Sequence, residues 1–259
     1  MWQDNAFSRN ASMKMSAHRQ IWPVVAAALS LILGQGRFDA AEPQPGDFPV
    51  PVKRQDELKF KHASFTFVRI KYSVRASRSK AREKAWATDY PNSERNLSAR
   101  FATDTGLKTD SDGKVLMLTD PELKRYPFIY IVEGGLLQLS DDEARSLRDY
   151  LLGGGFLMVD DFWGEFEWKH FYDNIKRVFP EREPQELPLD HPLFHCYYEI
   201  AAKPQVPNIL AWQATGRSDD NRRDTAEVHY RALFDDKGRM MALMCHNTDI
   251  GDEIGRAHV

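Results

Sequence analysis

The residues of this chain best placed to do chemistry are two adjacent aspartates. Residues 151–168 read LLGGGFLMVDDFWGEFEW, in which three glycines and a short apolar run lead directly to Asp160 and Asp161. An apolar run bounded in this way reads as a buried strand, and in an open parallel sheet ligands sit outside the carboxyl ends of the strands. A carboxylate pair at such a rim can bind a divalent cation, or separate its pKa values so that one member acts as acid and the other as base. Neighbouring side chains on a strand point to opposite faces. One of the pair is therefore expected to face the cleft while the other caps the next helix. Glu133, which precedes Gly134-Gly135 at the end of a second apolar run over 128–132, is expected to face Asp160 or Asp161 if the two strands are neighbours.

Other residues invite a functional reading against a structural default. Asp89 in TDYPN (88–92) and Asp120 in TDP (119–121) both sit in turn-forming sequence before proline, and turn chemistry is the default for each. Asp89 is kept as a cleft candidate, with Asn247 in HNTDIGD (246–252). His191 and His195 in HPLFH have the spacing of a helical metal pair, but Pro188 and Pro192 oppose a regular helix and the spacing then loses its meaning. His195 is kept as a candidate. Cys196 and Cys245 are candidates for one disulfide in an oxidising compartment, or equally for buried, reduced thiols. No phosphate-binding glycine loop, dinucleotide fingerprint, H-E-x-x-H or nucleophile elbow is present, so covalent acyl transfer has no local motif to support it. No cofactor is predicted, with a divalent metal at the carboxylates the one addition left open.

The elements that must position these residues are legible in outline. Residues 65–72 (FTFVRIKY) alternate with period two and read as a strand, and 115–118 and 128–132 read as short buried strands. A helix is expected from Asn92 or Ser93 to Thr105, with either residue as its N-cap and Gly106 as its stop. Over 139–153 the pattern is unmistakably helical: Ser140 and Glu143 form a capping-box pair, Ala144, Leu147 and Leu151 share a face, and Gly153 is expected to supply a left-handed cap. Residues 156–159 follow as strand and 165–179 as helix, ended by Pro180. Near-continuous apolar strands alternating with amphipathic helices predict an α/β domain whose mostly parallel sheet is covered on both faces. Residues 229–234 and 240–245 read as a hairpin.

The chain has 259 residues and a net charge of −3, so its overall field offers no attraction to nucleic acid or anionic membrane. The one basic run, 75–84 (RASRSKAREK), lacks interleaved aromatics and reads as a solvated loop. Basic residues Lys14 and Arg19 precede an apolar core over 21–33, the layout of a secretory signal peptide and too short for a bilayer span. The expected organisation is extra N-terminal residues and signal peptide over 1–41, a proline-rich linker over 42–62, one domain over 63–252, and a tail over 253–259. That tail, EIGRAHV, matches a translated sequencing adapter and is expected to be non-native, leaving the domain truncated. Export to the periplasm or beyond, with no transmembrane span in the mature chain, is the corresponding localisation.

WATDYPN (86–92), LTDPEL (118–123), YPFIYIVEGG (126–135), LSDDEARSLRDYLLGGGFLMVDDFWG (139–164), RVFPER (177–182), HPLFH (191–195) and HNTDIGD (246–252) together resemble the bacterial domain-of-unknown-function family 4159. The resemblance implies a flavodoxin-like α/β sandwich related to class I glutamine amidotransferases. Asp160 and Asp161 then stand where the amidotransferase's cysteine would be placed, and glutaminase activity is not expected. The family's association with AAA-type ATPases and von Willebrand A domain proteins implies a partner-dependent role. The expectation is thus a non-enzymatic binding or assembly module. The alternative is a hydrolase or metal-dependent enzyme using the carboxylates at the strand ends.

Overall fold

The computed structural model describes residues 64–74, 82–196, 198–219 and 223–251. The expected signal peptide and linker, most of the basic run and the expected tail lie outside these residues. Nine strands occur among them: β1 (Ser64–Ile70), β2 (Ser73–Val74), β3 (Lys108–Leu116), β4 (Phe128–Val132), β5 (Leu137–Gln138), β6 (Phe156–Phe162), β7 (Gln185–Glu186), β8 (His229–Phe234) and β9 (Met240–His246). The helices are α1 (Asn92–Thr105), α2 (Asp141–Leu152), α3 (Gly164–Val178) and the short α4 (Ile209–Thr215).

Seven strands form one sheet in the order β3-β1-β4-β6-β9-β8-β7, and β2 with β5 forms a small antiparallel ribbon. The first five in that order run parallel, while β8 and β7 add an antiparallel edge. Taken alone in chain order, the parallel strands follow the flavodoxin-like sequence 2-1-3-4-5, whose switch point lies between β1 and β4. The expected α/β sandwich is the fold observed.

Alternation along the strands explains how both faces are filled. Phe128, Tyr130 and Val132 of β4 join Phe156 and Met158 of β6 on one face, packed with Leu97 and Phe101 of α1. Ile129, Ile131, Leu157 and Val159 point the other way, against Leu147 and Leu151 of α2 and Phe171 and Ile175 of α3. β4 and β6 are buried along their whole lengths, as a central parallel strand requires.

Three local expectations are corrected. β3 is longer than 115–118, because its polar first half, KTDSDG, pairs as an edge strand with β1 alone. The N-cap of α1 is Pro91 and makes no side-chain cap bond; Ser93 Oγ instead donates to Asp89 O at 3.3 Å. Gly153 ends α2 in a right-handed conformation (φ −72°), and the positive φ falls at Gly154 (108°). The capping box of α2 forms as expected, with Glu143 N donating to Ser140 Oγ at 3.2 Å and Ser140 N to Glu143 Oε2 at 2.8 Å. No helix among the described residues is long and apolar enough to cross a membrane.

Between β4 and α2 the chain must pass very close to β6. A β-carbon on Gly134 would lie 2.4 Å from Val159 Cγ1, well inside contact distance. Gly134→Ala is therefore expected to destabilise the fold by about 1–3 kcal/mol, as overpacked cores do. Urea unfolding should show this as a lower midpoint at an unchanged slope.

Candidate functional site

The rim at the carboxyl ends of β1, β4, β6 and β9 holds the candidate site. Asp160, in register beside Val132, is completely buried on the α1 face of the sheet. Its Oδ2 accepts hydrogen bonds from Tyr130 Oη at 3.0 Å and from the Gly251 amide at 2.7 Å. Its Oδ1 has no hydrogen-bond partner among the described residues. Burial pushes this carboxyl up to about 7, against the hydrogen bonds that favour its charged form. Asp249 and Asp89 also act on Tyr130, whose hydroxyl is pushed well up, first by burial and then by Asp160. A β-carbon on Gly251 would meet Tyr130 Oη at 2.9 Å, Asp89 Oδ2 at 3.0 Å and Asp249 Oδ1 at 3.6 Å. Three carboxylates from three separate segments thus converge on Tyr130 and the Gly251 turn.

Asp161 leaves the strand in a left-handed conformation, φ 54°. Its Oδ1 accepts from Trp163 Nε1 at 2.9 Å and its amide donates to Thr248 O at 3.2 Å. Burial, then the negative charge of Glu133 and Asp160, raises its carboxyl well above the usual range. Asp161 does not cap α3. The left-handed turn, with the register shift beyond Val159, carries its carboxylate to the indole instead. The first turn of α3 is capped from elsewhere: Trp163 N donates to Glu167 Oε2 (2.7 Å), Gly164 N to Asn247 Oδ1 (2.8 Å) and Glu165 N to Asp224 Oδ2 (2.9 Å). β4 and β6 are neighbours, the condition set for Glu133, and the charge of Glu133 acts on Asp161. Tyr72 Oη closes the switch point between β1 and β4 by donating to Val132 O at 2.8 Å and Glu133 O at 3.1 Å.

Among the described residues the non-glycine positions with positive φ are Asp89 (61°), Glu133 (54°), Asp161 (54°) and Asn247 (61°). All four are cleft candidates picked from the sequence. Such conformations cost free energy and gather at sites whose geometry is over-determined by their surroundings.

Arg69 joins the Asp89 segment to this rim. Fully buried, it pairs with Glu94 of α1 and donates from Nη1 to Thr88 O at 2.9 Å and Trp86 O at 3.2 Å. Its guanidinium lies 5.1 Å from the centre of the Tyr130 ring and 6.0 Å from that of Tyr90, while Lys71 Nζ lies 5.5 Å from the Trp86 ring. On the β9 side, residues 204–206 roof the rim: Asp249 N donates to Val206 O (2.9 Å) and Val206 N to Thr248 Oγ1 (2.9 Å). Asp89 and Glu133 are half-buried, and Tyr90 is 44% exposed.

The remaining predicted residues serve elsewhere. His195 has both ring nitrogens engaged, Nδ1 with Glu199 Oε2 at 2.7 Å and Nε2 with Leu189 O at 2.8 Å, so it is not brought to the carboxylates. Asn247 is buried and structural, caps α3 and donates from Nδ2 to Glu227 O at 2.7 Å. His191 caps its own turn, with Nδ1 accepting from Leu193 N at 3.2 Å. Cys196 and Cys245 are thiols rather than a disulfide: Cys245 is sealed in the β9 core, and Cys196 directs its sulfur to Leu193 O. Among the described residues no group of three or more His, Cys, Asp or Glu is arranged to hold a metal ion. Tyr130, Arg69, Glu94 and Asp249 were missed. Tyr130 looks like one more strand residue in FIYIV, but Asp249 lay in plain view two residues after Asn247.

Fold and rim together define a flavodoxin-like α/β protein with a buried carboxylate cluster at the carboxyl ends of its parallel strands. The sequence pattern of the family described as Domain of unknown function (DUF4159) matches residues 66–259, and the chain belongs to that family. No curated protein matches it.

The raised carboxyl of Asp160 makes stability depend on pH. Its folded-state value of about 7 exceeds the ordinary 3.8, so the folded state binds the proton more tightly. The contribution is fully present below about pH 4 and is lost as pH rises through about 7, at up to about 1.4 kcal/mol per pH unit. Asp160→Asn, which keeps an acceptor for Gly251 N, is expected to remove this slope and to be the more stable protein at pH 8. Denaturant titrations of both chains from pH 4 to 8 would check it; a wild-type-minus-variant difference flat with pH contradicts it.

Proposed function

We propose that this chain is an exported, non-enzymatic binding or assembly module on an amidotransferase-like scaffold, acting with a protein partner in the periplasm or outside the cell. The observation that carries this reading is Asp161. It occupies a strand–turn–helix corner at φ 54°, the geometry in which related α/β folds expose a nucleophile. Here that position holds a carboxylate committed to the Trp163 indole, and the rim histidine expected from the sequence is engaged with Glu199. Cys245 is buried on β9 with its thiol pushed well up by burial, the opposite of an activated thiolate. Export rests on the apolar core over 21–33 behind Lys14 and Arg19. A partner of the AAA-type ATPase or von Willebrand A kind rests on association within the family alone.

A second reading, a hydrolase using carboxylates at the strand ends, is favoured by one observation: Asp160 and Asp161 are both held above the usual range in one rim. The two separate on a single preparation. In-cell cross-linking of the tagged chain is expected to recover one discrete partner from the periplasmic fraction, lost on Glu133→Lys, with no turnover in a hydrolase panel. Turnover abolished by Asp161→Asn, with no partner recovered, would establish the second reading and end the first.

A further inference from the structure

On the other face of the sheet, His246 closes β9 in a setting that the binding-module reading does not use. It is 0% exposed and pairs in register with His229 of β8. Its ring packs against Phe162, Trp168 and His229, with centroids 5.2, 5.4 and 5.6 Å away. Arg231, two residues along β8, reaches the same aromatic group, and its guanidinium lies 4.1 Å from the centre of the Trp168 ring. This side chain joins β8 to α3.

Both ring nitrogens of His246 are engaged, and one partner fixes which of them carries the hydrogen. Arg231 Nη1 lies 3.0 Å from His246 Nδ1, and a guanidinium can only donate. Nδ1 is therefore an acceptor, so the hydrogen of the neutral ring is on Nε2, which donates to Gly164 O at 3.1 Å. A second proton has only Nδ1 to bind, directly against the guanidinium. The other charged groups in the cluster do not relieve that conflict. Glu186 of β7 favours the charged ring, but it already holds Arg231 Nε at 3.3 Å, His229 Nδ1 at 3.3 Å and Lys203 Nζ at 2.5 Å. Glu165 and Glu227 act on Arg231, and Asp224, beside Gly164, is taken by the Glu165 amide. Burial lowers the imidazole to about 4 against the bond to Gly164 O, and Arg231 and His229 add to the lowering.

We propose that His246 and Arg231 form an acid-released latch between β8 and α3. A proton taken from solvent onto His246 Nδ1 removes the acceptor of Arg231 Nη1 and sets two cations face to face. The guanidinium then withdraws from Trp168 while it keeps Glu186, and the ring of Trp168 is uncovered. Nε2 still donates to Gly164 O, so the start of α3 stays in place and the change is local. The latch goes beyond the binding-module reading and does not depend on it.

Nitrogen NMR of the histidine rings and fluorine NMR of the fluorotryptophan-labelled full chain, followed from neutral pH into acid, provide the test. His246→Gln and Trp168→Phe assign the two resonances. In the unsubstituted chain His246 is expected to carry its hydrogen on Nε2 at neutral pH, and the Trp168 resonance to shift with the same midpoint as the charging of His246, while far-ultraviolet circular dichroism stays constant. His246→Gln, whose side-chain amide can still donate to Gly164 O, is expected to abolish the Trp168 shift, and His229→Gln to keep it. Arg231→Gln, which removes the opposing cation, is expected to raise the His246 midpoint by about one pH unit. Hydrogen on Nδ1 at neutral pH, a Trp168 resonance that ignores His246 or follows His229, or a midpoint unmoved in Arg231→Gln overturns the proposal. So does loss of the dichroism signal before either resonance moves. The tautomer and the coincident midpoints are read on the unsubstituted chain, so they decide the matter even where a variant does not fold.

Discussion

A fully buried arginine holds the candidate site together. Arg69 and Glu94 are both 0% exposed, so two charges have been taken out of water, and Arg69 Nη2 and Glu94 Oε2 are left without hydrogen bonds among the described residues. Apolar side chains of similar volume in such a place are often no less stabilising. What an apolar pair would not do is hold the loop. Arg69 leaves β1, pairs with α1, and binds the carbonyls of Trp86 and Thr88, so three stretches of chain meet at one guanidinium. The segment carrying Asp89 is thereby fixed over the end of the sheet, and Tyr130 is fixed beneath the same cation. Removal of either partner would leave a buried charge unpaired, and removal of Arg69 would also free the carbonyls of Trp86 and Thr88.

Around that anchor the protein keeps acids in positions where water cannot solvate them. Asp160 and Asp161 are adjacent, yet their surroundings differ. Asp160 is surrounded by donors on one oxygen and by other carboxylates, whereas Asp161 is held by an indole and faces Glu133. Like charges this close disfavour joint ionisation, which makes the rim receptive to a proton or a cation. On the opposite side of the sheet the balance is reversed. His246 packs its ring against both Phe162 and Trp168, and burial lowers its imidazole to about 4, so it is neutral near pH 7, where Asp160 titrates.

Legibility in the sequence followed how many independent signals each segment carried. β4, β6 and α2 were readable because apolar runs and a capping box agreed; the order of the strands in the sheet was not legible, and Glu133 was expected to face Asp160 or Asp161 only on the condition that β4 and β6 are neighbours, which they are. β3 was shortened because an edge strand needs no apolar face, and its KTDSDG half resembles a loop. Arg69 shares strand parity with Phe65 and Phe67 and so belonged to the buried face, but its charge argued against the pattern. Four of the six cleft candidates, Asp89, Glu133, Asp161 and Asn247, share a left-handed backbone that had no signal in one sequence. Asp and Asn tolerate that region more readily than Glu, so Glu133 was the least predictable of them. His195 failed because the proline-bound turn that removed its helical spacing also turned it to Glu199.

The strand–turn–helix corner at Asp161 has the shape of a nucleophile-bearing corner without its chemistry. A nucleophile at such a corner needs exposure, a nearby base and donors for the developing oxyanion. Asp161 is 5% exposed, its oxygen is engaged by Trp163, and the first amides of α3, which could have served as donors, are taken by Glu167, Asn247 and Asp224. These features leave Asp161 without the exposure and the free donors that a nucleophile at such a corner uses. Groups already oriented by strain, caps and an ion pair lose little entropy when a ligand arrives. The rim is thus built in two layers, a buried inner pair of Asp160 and Asp161 and an outer edge of the half-buried Asp89 and Glu133 with the exposed Tyr90.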